Sequence, residues 1–253
     1  MPRVHHLGCL LDGLNTRVSK HNSMSIISLP FQYPGYLALQ SGLKGDEPSG
    51  FVHNEVFLMS AREHYDRVAK KYSRMLTSGI GGQLKGREKD ALMRLLSPKS
   101  GETILDAGCG SGFYADMIRK SGAQVLCIDI SPAMIEVVRT LGLDAQVHDI
   151  QSLNLDMRFD KILCAGPLEF CKQPLKALQN MRRHVSEDGY IVLSVLNISM
   201  MGLAYWFYHV SHGVKITLYT LNGITNLLNQ AGFDVEIVER PVSFLFAIRA
   251  RPK

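Results

Sequence analysis

The sequence has few cysteines and no two of them in C-x-x-C spacing. Five cysteines occur in 253 residues, and three of them lie inside apolar, strand-like runs. Structural zinc sites typically use paired cysteines at such short spacing, so no structural zinc is predicted. The sequence also lacks a His/Asp/Glu cluster with metal-ligand spacing, and we predict no metal site. The simplest interpretation is a reduced, cytoplasmic protein.

A dense run of Lys or Arg is also missing. The 28 basic and 23 acidic residues are spread along the chain and leave a formal net charge of +5. Proteins that bind nucleic acid usually carry a clustered basic patch, so nucleic acid is not an expected partner. With 46% hydrophobic residues, the chain can bury the core of one domain plus an appendage.

Charge is absent altogether from Gly189 to His209, a stretch about as long as a membrane span. A transmembrane helix is therefore one alternative. The polar residues Ser194, Asn197 and Ser199 favour the other, a buried strand that runs into an aromatic segment. Peripheral contact with a membrane stays open as a further alternative.

The first 58 residues lack sustained periodicity and contain prolines among scattered glycines, which predicts a weakly structured extension. We place the main domain at 59–253. One hypothesis is that the natural chain starts at Met59, and the rival is a targeting leader. Ser60 and Glu63 then form a capping-box pair, which predicts the start of a first helix, and a second helix is predicted over 88–96. We expect these helices of 59–100 to lie on the main domain.

From Thr103 onward, short apolar runs alternate with amphipathic ones, as in a parallel sheet covered by helices. We predict an α/β fold with a Rossmann-like, seven-stranded, mostly parallel sheet, one antiparallel strand, and helices on both faces. The predicted strands are 103–107, 124–129, 144–148, 160–165, 189–196, 233–239 and 242–250. The predicted helices of this part lie near 112–121, 132–141, 174–184 and 220–231.

The central motif is an apolar strand that ends in a glycine-rich turn, with Asp106 followed by Gly108, Gly110 and Gly112. Glycines let a backbone turn sharply and let a ligand approach closely. A dinucleotide fingerprint would need its third glycine at position 113, where this chain has Phe113. NAD is therefore disfavoured. The motif resembles the first motif of class I S-adenosylmethionine-dependent methyltransferases, in particular the small-molecule and quinone methyltransferases of the type 11 domain.

This resemblance extends from about Tyr65 to the C-terminus and implies S-adenosyl-L-methionine as the cofactor. In the family, the turn and the acid before it hold the methionine part of the cofactor. Asp129 ends the next strand at the distance from which an acid can accept both ribose hydroxyls. The cofactor-binding residues implied here are Asp106, Gly108, Cys109, Gly110, Gly112, Asp129, Ile130, Met134, Asp149, Ile150, Cys164, Tyr65 and Tyr72.

The segment 197–218 is an insertion rich in aromatic residues and methionine, and we expect it to border the pocket of the methyl acceptor. It suits a small, apolar or aromatic acceptor. His209, His212 and Tyr208 are candidates for accepting a proton from it, and no catalytic base is assigned. Phe170 stands where the family often has the histidine of a Leu-Glu-His sequence.

Three functions remain open from the sequence. The first is methyl transfer to oxygen, nitrogen or carbon of a small molecule. The second is a catalytically inactive cofactor-binding or assembly subunit of the same fold, because a fold does not guarantee turnover. The third, a nicotinamide oxidoreductase, conflicts with the glycine spacing. The oligomeric state is left open.

Overall fold

The computed structural model describes residues 60–77 and 79–253, with side chains described for 60–69 and 83–253. Its centre is a seven-stranded sheet in the order β3-β2-β1-β4-β5-β7-β6. Strand β7 runs antiparallel to both of its neighbours, whereas the pairs among β1 to β5 are parallel. The strands are β1 Thr103–Ala107, β2 Gln124–Asp129, β3 Asp144–Val147, β4 Phe159–Ala165, β5 Val185–Leu196, β6 Phe233–Val242 and β7 Leu245–Pro252. The predicted fold class is confirmed.

Helices follow most of the strands, and most of the helices pack against the sheet. The helices are α1 Ala61–Thr77, α2 Gly79–Leu96, α3 Phe113–Lys120, α4 Pro132–Thr140, α5 Pro174–His184, α6 Met200–Ser211 and α7 Leu221–Gln230. A single 3-10 turn, Pro167–Phe170, follows β4. The central strands are buried along most of their length, which is why they appear in the sequence as continuous apolar runs.

Local signals in the sequence set several helix starts. The Ser60 N–H donates to the Glu63 carboxylate at 2.9 Å, and the Glu63 N–H donates to the Ser60 hydroxyl at 3.2 Å. This reciprocal pair is the predicted capping box of α1. Ser131 and Thr220 accept hydrogen bonds from backbone N–H groups in the first turns of α4 and α7.

The uncharged stretch from Gly189 to His209 divides between strand β5 and helix α6. The alternative of a buried strand followed by an aromatic segment is therefore confirmed. Within the described residues, no helix combines the length and apolar character needed to cross a bilayer.

The elements differ from the predictions mainly at their ends. Strand β5 begins four residues earlier than predicted, because Val185 pairs with Phe159 across a bulge before the regular ladder starts. Helix α2 begins at Gly79 instead of near Glu88. Four glycines between positions 79 and 86 lower the helix propensity there, so the sequence pattern hid this part of the helix. Residues 1–58, the predicted extension, lie outside the described residues, and the domain boundaries stay predictions.

Candidate active site

A cavity of about 470 Å³ lies at the carboxyl edge of the parallel strands. Open α/β sheets bind ligands at this edge. We call one side of the cavity the strand-end half, which is lined by Gly108, Gly110, Asp129, Ile130, His148, Asp149, Ile150 and Gln151. The opposite side, the helix half, is lined by Leu84, Lys85, Glu88, Ser194, Leu196, Met201, Ala204, Tyr205, Val242, Phe244 and Leu245. Glu169 and Phe170 also line the cavity, and Glu169 is bonded to the backbone of Leu196 in the helix half.

The glycine-rich turn is bound to the end of β2. The N–H groups of Gly108 and Cys109 both donate to the carbonyl oxygen of Ile128, at 2.7 and 3.0 Å. Gly108 has φ +79°, and a Cβ placed on it would lie 2.6 Å from side-chain carbons of Pro167. This position therefore requires glycine for its backbone conformation and for its space.

Asp129 fixes the same turn from the neighbouring strand. One of its carboxylate oxygens accepts the Gly110 N–H at 2.9 Å, and the other accepts the Ser131 N–H at 2.9 Å. Burial raises the pKa of this carboxyl, although the two backbone hydrogen bonds act in the opposite direction. Each oxygen has room for a second hydrogen bond, so Asp129 can hold the turn and still accept donors from a ligand.

Helix α1 is attached beside Asp129 through a residue that the sequence analysis did not select. The Ser131 hydroxyl donates to the Asp66 carboxylate, and the Ala133 N–H donates to the same oxygen at 3.3 Å. These bonds position Tyr65, whose side chain lines the cavity and lies edge-on to Phe170 with ring centroids 5.3 Å apart. Tyr72 is on the same helix, but its side chain lies outside the described residues.

Asp106 is completely buried behind the turn. Neither of its carboxylate oxygens has a hydrogen-bond partner within the described residues. Burial, and secondarily the negative charge of Asp129, raises the pKa of Asp106 to about 7, and the charge of Lys85 offsets only part of this effect. A buried carboxyl with unsatisfied oxygens is costly, and a positively charged ligand group nearby would reduce that cost.

The third acid lies after β3. Asp149 lines the cavity, and one of its oxygens accepts the Gln151 N–H at 2.8 Å. The Gln151 side-chain amide lies 3.2 Å from both oxygens of Asp149. Ile150 is buried and lines the cavity beside it. The carboxyl ends of β1, β2 and β3 thus bring Asp106, Asp129 and Asp149 to one region, as the sequence analysis expected.

Some of the predicted cofactor residues do not line the cavity. Met134 and Cys164 are fully buried, and Cys109 is buried in the cluster that packs the turn against α4. Gly112 precedes α3 with φ +80°, and a Cβ on it would meet side chains in and just after α4, so its visible role is in packing. Their predicted part in cofactor binding stays a prediction.

The three proton-acceptor candidates on α6 and just after it also lie outside the cavity lining. His209 is buried, and its Nδ1 lies 3.1 Å from the carbonyl oxygen of Tyr205. Its ring contacts Phe170 at a centroid distance of 5.9 Å, so it supports the wall from behind. Tyr208 is half exposed and His212 is exposed. Their catalytic role stays a prediction.

The helix half contains a polar group that the sequence analysis missed. Lys85 Nζ donates to one Glu88 carboxylate oxygen at 3.0 Å, and the Ser194 hydroxyl donates to the other at 3.0 Å. Lys85 and Glu88 lie on α2 and Ser194 lies on β5. Glu88 and Ser194 are 106 positions apart in the sequence. No local sequence motif links these residues. The sequence pattern also did not predict the first turns of α2, so Lys85 could not be recognised as a helical neighbour of Glu88.

Glu169 is a further residue that was missed, although the Leu-Glu-Phe sequence had marked its position. It is only 2% exposed, and one carboxylate oxygen accepts the Leu196 N–H at 2.7 Å. The other oxygen has no hydrogen-bond partner within the described residues. Burial raises the pKa of Glu169 to about 8. The site therefore includes a cavity-lining carboxyl whose pKa lies near neutral pH and whose second oxygen is buried without a hydrogen-bond partner among the described residues.

A family model described as a methyltransferase domain matches residues 81–238, which is more than half of the chain. The chain belongs to this methyltransferase family. The resemblance noted in the sequence is thereby confirmed at the level of the family. Within the described residues of the methyltransferase, no group of three or more His, Cys, Asp or Glu side chains is arranged to hold a metal ion.

Two curated relatives are named ubiquinone biosynthesis O-methyltransferase. The one from Paracidovorax citrulli is 31% identical over 111 residues, which cover 40% of this chain and 47% of the relative. The one from Coxiella burnetii is 29% identical over 151 residues, which cover 56% of this chain and 58% of the relative. The methyltransferase thus spans about half the length of the curated relatives it matches.

Solved structures confirm the fold. A methyltransferase of Haloferax volcanii, in complex with the activator Trm112, superimposes with a TM-score of 0.65 at 18% identity, covering 76% of this chain and 99% of the other. An S-adenosylmethionine-dependent methyltransferase of Mesorhizobium loti superimposes with a TM-score of 0.59 at 21% identity. This match covers 66% of this chain and 99% of the other. At these identities the similarity concerns architecture alone.

Proposed function

We propose that this chain binds S-adenosyl-L-methionine in the strand-end half and transfers a methyl group to an oxygen of a small, apolar acceptor in the helix half. The observation that carries the proposal is one cavity bordered by the glycine turn, Asp129 and Asp149, with Asp106 buried directly behind it. Family membership supports the reaction class, and the names of the relatives support oxygen as the accepting atom.

The charges around the cavity fit such a cofactor. Four carboxyl side chains line it, those of Glu88, Asp129, Asp149 and Glu169, and Lys85 is the one Lys or Arg among the described lining residues. Lys85 pairs with Glu88, and a pKa of about 8 leaves Glu169 largely protonated at pH 7. The excess of acids therefore comes from Asp129 and Asp149 and suits a ligand that carries positive charge. S-adenosylmethionine has a sulfonium and an ammonium group, and when bound it supplies a methyl group on an electron-poor sulfur.

Residues of the strand-end half would hold the cofactor by ordinary hydrogen bonds. The free acceptor positions of Asp129 suit two ribose hydroxyls, and Asp149 with the Ile150 backbone suits the edge of an adenine ring. Asp106 would provide negative charge near the ammonium group. Because its pKa lies at about 7, a nearby positive charge would favour its ionised form.

In the helix half, apolar side chains would exclude water from an aligned acceptor. Leu196, Phe244 and Leu245 form part of this wall. Alignment and the exclusion of water both lower the barrier of a displacement at carbon. The wall suits an acceptor with an aromatic or aliphatic body.

Glu169 is the carboxyl that we assign to the acceptor proton. With a bound cofactor supplying the methyl group, ionised Glu169 would accept the proton that the acceptor hydroxyl loses, at the carboxylate oxygen that has no hydrogen-bond partner among the described residues. A base with a pKa of about 8 is well matched to this transfer near neutral pH. His209, His212 and Tyr208 remain the competing candidates.

Titration calorimetry tests the cofactor. We expect S-adenosylhomocysteine and S-adenosylmethionine to bind, and NAD to bind more weakly than either. Tighter binding of NAD would overturn the proposal. Methyl transfer from labelled S-adenosylmethionine to a series of 4-alkylphenols and 4-alkylcatechols tests turnover. Cofactor binding without transfer to these probes or to lipid extracts would indicate the inactive cofactor-binding subunit instead.

A further inference from the structure

Helix α6 exposes an unusual amount of apolar surface. It has no charged residue over its 12 positions. Met200 is 89% exposed, Phe207 61% and Leu203 50%, and Ile198 just before the helix is 57% exposed. Single exposed apolar side chains are normal, but a contiguous exposed group of this kind marks an interaction surface.

The exposed side chains share one face of the helix. Positions 200, 203 and 207 follow the spacing that places residues on one helical stripe. Gly202 and His209 are the buried residues of α6, and Met201 and Tyr205 line the cavity. The helix therefore separates the helix half of the cavity from an apolar outer surface, which we call the outer face of α6 and define as Met200, Leu203 and Phe207.

The segment of the chain that carries this face has charge of one sign. From position 189 to position 233 the sequence contains no Asp or Glu, and its one Lys or Arg is Lys215, which is exposed. Beside the outer face lie Tyr205, Trp206 and Tyr208, each between 38% and 50% exposed. Tyr and Trp side chains are favoured where an apolar phase meets water, and the charge of Lys215, in a segment without acids, favours anionic headgroups.

We propose that the outer face of α6 docks on the surface of a bilayer that contains anionic lipids, and that an apolar acceptor passes from the bilayer past α6 into the helix half. The route of the acceptor rests on the proposed function, whereas the bilayer contact does not. A helix of 12 residues is about 18 Å long, which is too short to cross the hydrocarbon core, so the contact is interfacial.

The single tryptophan of the chain gives a direct readout, because Trp206 lies on α6. The full chain is mixed with vesicles of phosphatidylcholine alone or of phosphatidylcholine with phosphatidylglycerol. We expect a blue shift of tryptophan fluorescence and co-flotation with the anionic vesicles, with about fivefold weaker partitioning to the neutral ones, because Lys215 is the one basic residue of the segment. Absence of both signals with anionic vesicles would overturn the proposal.

Two variants localise the contact. Phe207→Glu places a charge on the outer face and should weaken partitioning at least about tenfold. The matched control is Met157→Glu, which places the same charge at a 45% exposed apolar residue outside α6 and should leave partitioning within about twofold. Equal effects of the two variants would contradict a contact through α6. Unchanged affinity for S-adenosylhomocysteine in both variants shows that they are folded.

The other occupants of this face give different results. A second copy of the chain would raise the mass with concentration in sedimentation velocity, and Phe207→Glu would abolish that increase without any vesicle signal. Vesicle binding by a chain that fails to bind S-adenosylhomocysteine would leave the bilayer contact standing and remove the proposed function. Cofactor binding without vesicle binding would overturn the bilayer contact and leave the proposed function standing.

Discussion

The two halves of the cavity are built in different ways. The strand-end half is made by short segments in which a strand end, a tight turn and the next helix start follow one another directly, as at Asp106 to Gly112. The helix half is assembled from α2, β5, α6 and the turn between β6 and β7, which are far apart in the chain. Local chemistry therefore fixes the first half, and long-range packing fixes the second.

The difference implies separate effects of mutation. Changes in the strand-end half should act on the affinity for the cofactor, and changes in the helix half should act on the acceptor.

Gly108→Ala should have the largest effect. The new Cβ would lie 2.6 Å from Pro167 in a residue with φ +79°, so the turn must move. We expect titration calorimetry to show about a hundredfold loss or more in affinity for S-adenosylhomocysteine, which corresponds to about 2.7 kcal/mol. Gly142→Ala is the matched control, because Gly142 also has a positive φ, +70°, and no atom lies within 4 Å of the place its Cβ would take. If both variants bind the cofactor equally well, the turn does not contact it.

Asp129→Ala should have the second largest effect. The cofactor would lose a charged acceptor, and the Gly110 N–H would lose its partner. A charge-assisted hydrogen bond is worth about 1.5 to 3 kcal/mol, so affinity for S-adenosylhomocysteine should fall about tenfold to a hundredfold. Asp144→Ala, at the exposed start of β3, should leave the affinity unchanged. An unchanged affinity in Asp129→Ala would show that the ribose is held elsewhere.

Glu169→Gln should change cofactor affinity least, by less than about threefold, because the residue lies toward the helix half. The rate of methyl transfer should fall and lose its dependence on a group with a pKa of about 8. The pH profile of kcat with a phenolic probe checks this. A profile identical to that of the unmodified chain would assign the acceptor proton to another residue.

The same variant has a predicted effect on stability. The pKa of Glu169 rises from its ordinary value of 4.5 to about 8 in the folded chain, so the folded state binds the extra proton and ionisation destabilises it. Stability is therefore lost as pH rises from about 4.5 to about 8, and Gln, which cannot ionise, escapes this loss. We expect the free energy of unfolding in urea of Glu169→Gln, relative to that of the unmodified chain, to be higher at pH 9 than at pH 5. An equal difference at both values would mean that Glu169 does not titrate in this range.

Much of the fold could be predicted because its signals are local. The limits of β1 and β2 agree with the predictions, since a buried parallel strand is a short apolar run that ends at a turn. Helix starts at Ser131 and Thr220 were marked by residues that cap a helix through their own side chains. The start of α2 was missed because its glycines oppose a helix that packing against the sheet stabilises.

The sequence by itself determined the family and the strand-end half, because a glycine turn and an acid at the end of a strand are recognised from residues only a few positions apart. The tertiary structure alone decided that Lys85, Glu88 and Ser194 share one cluster, that Glu169 is buried with a free oxygen, and that α6 turns an apolar face outward. Those features depend on which distant elements pack together, and the free energy of that packing comes from burial summed over the whole core rather than from any local pattern.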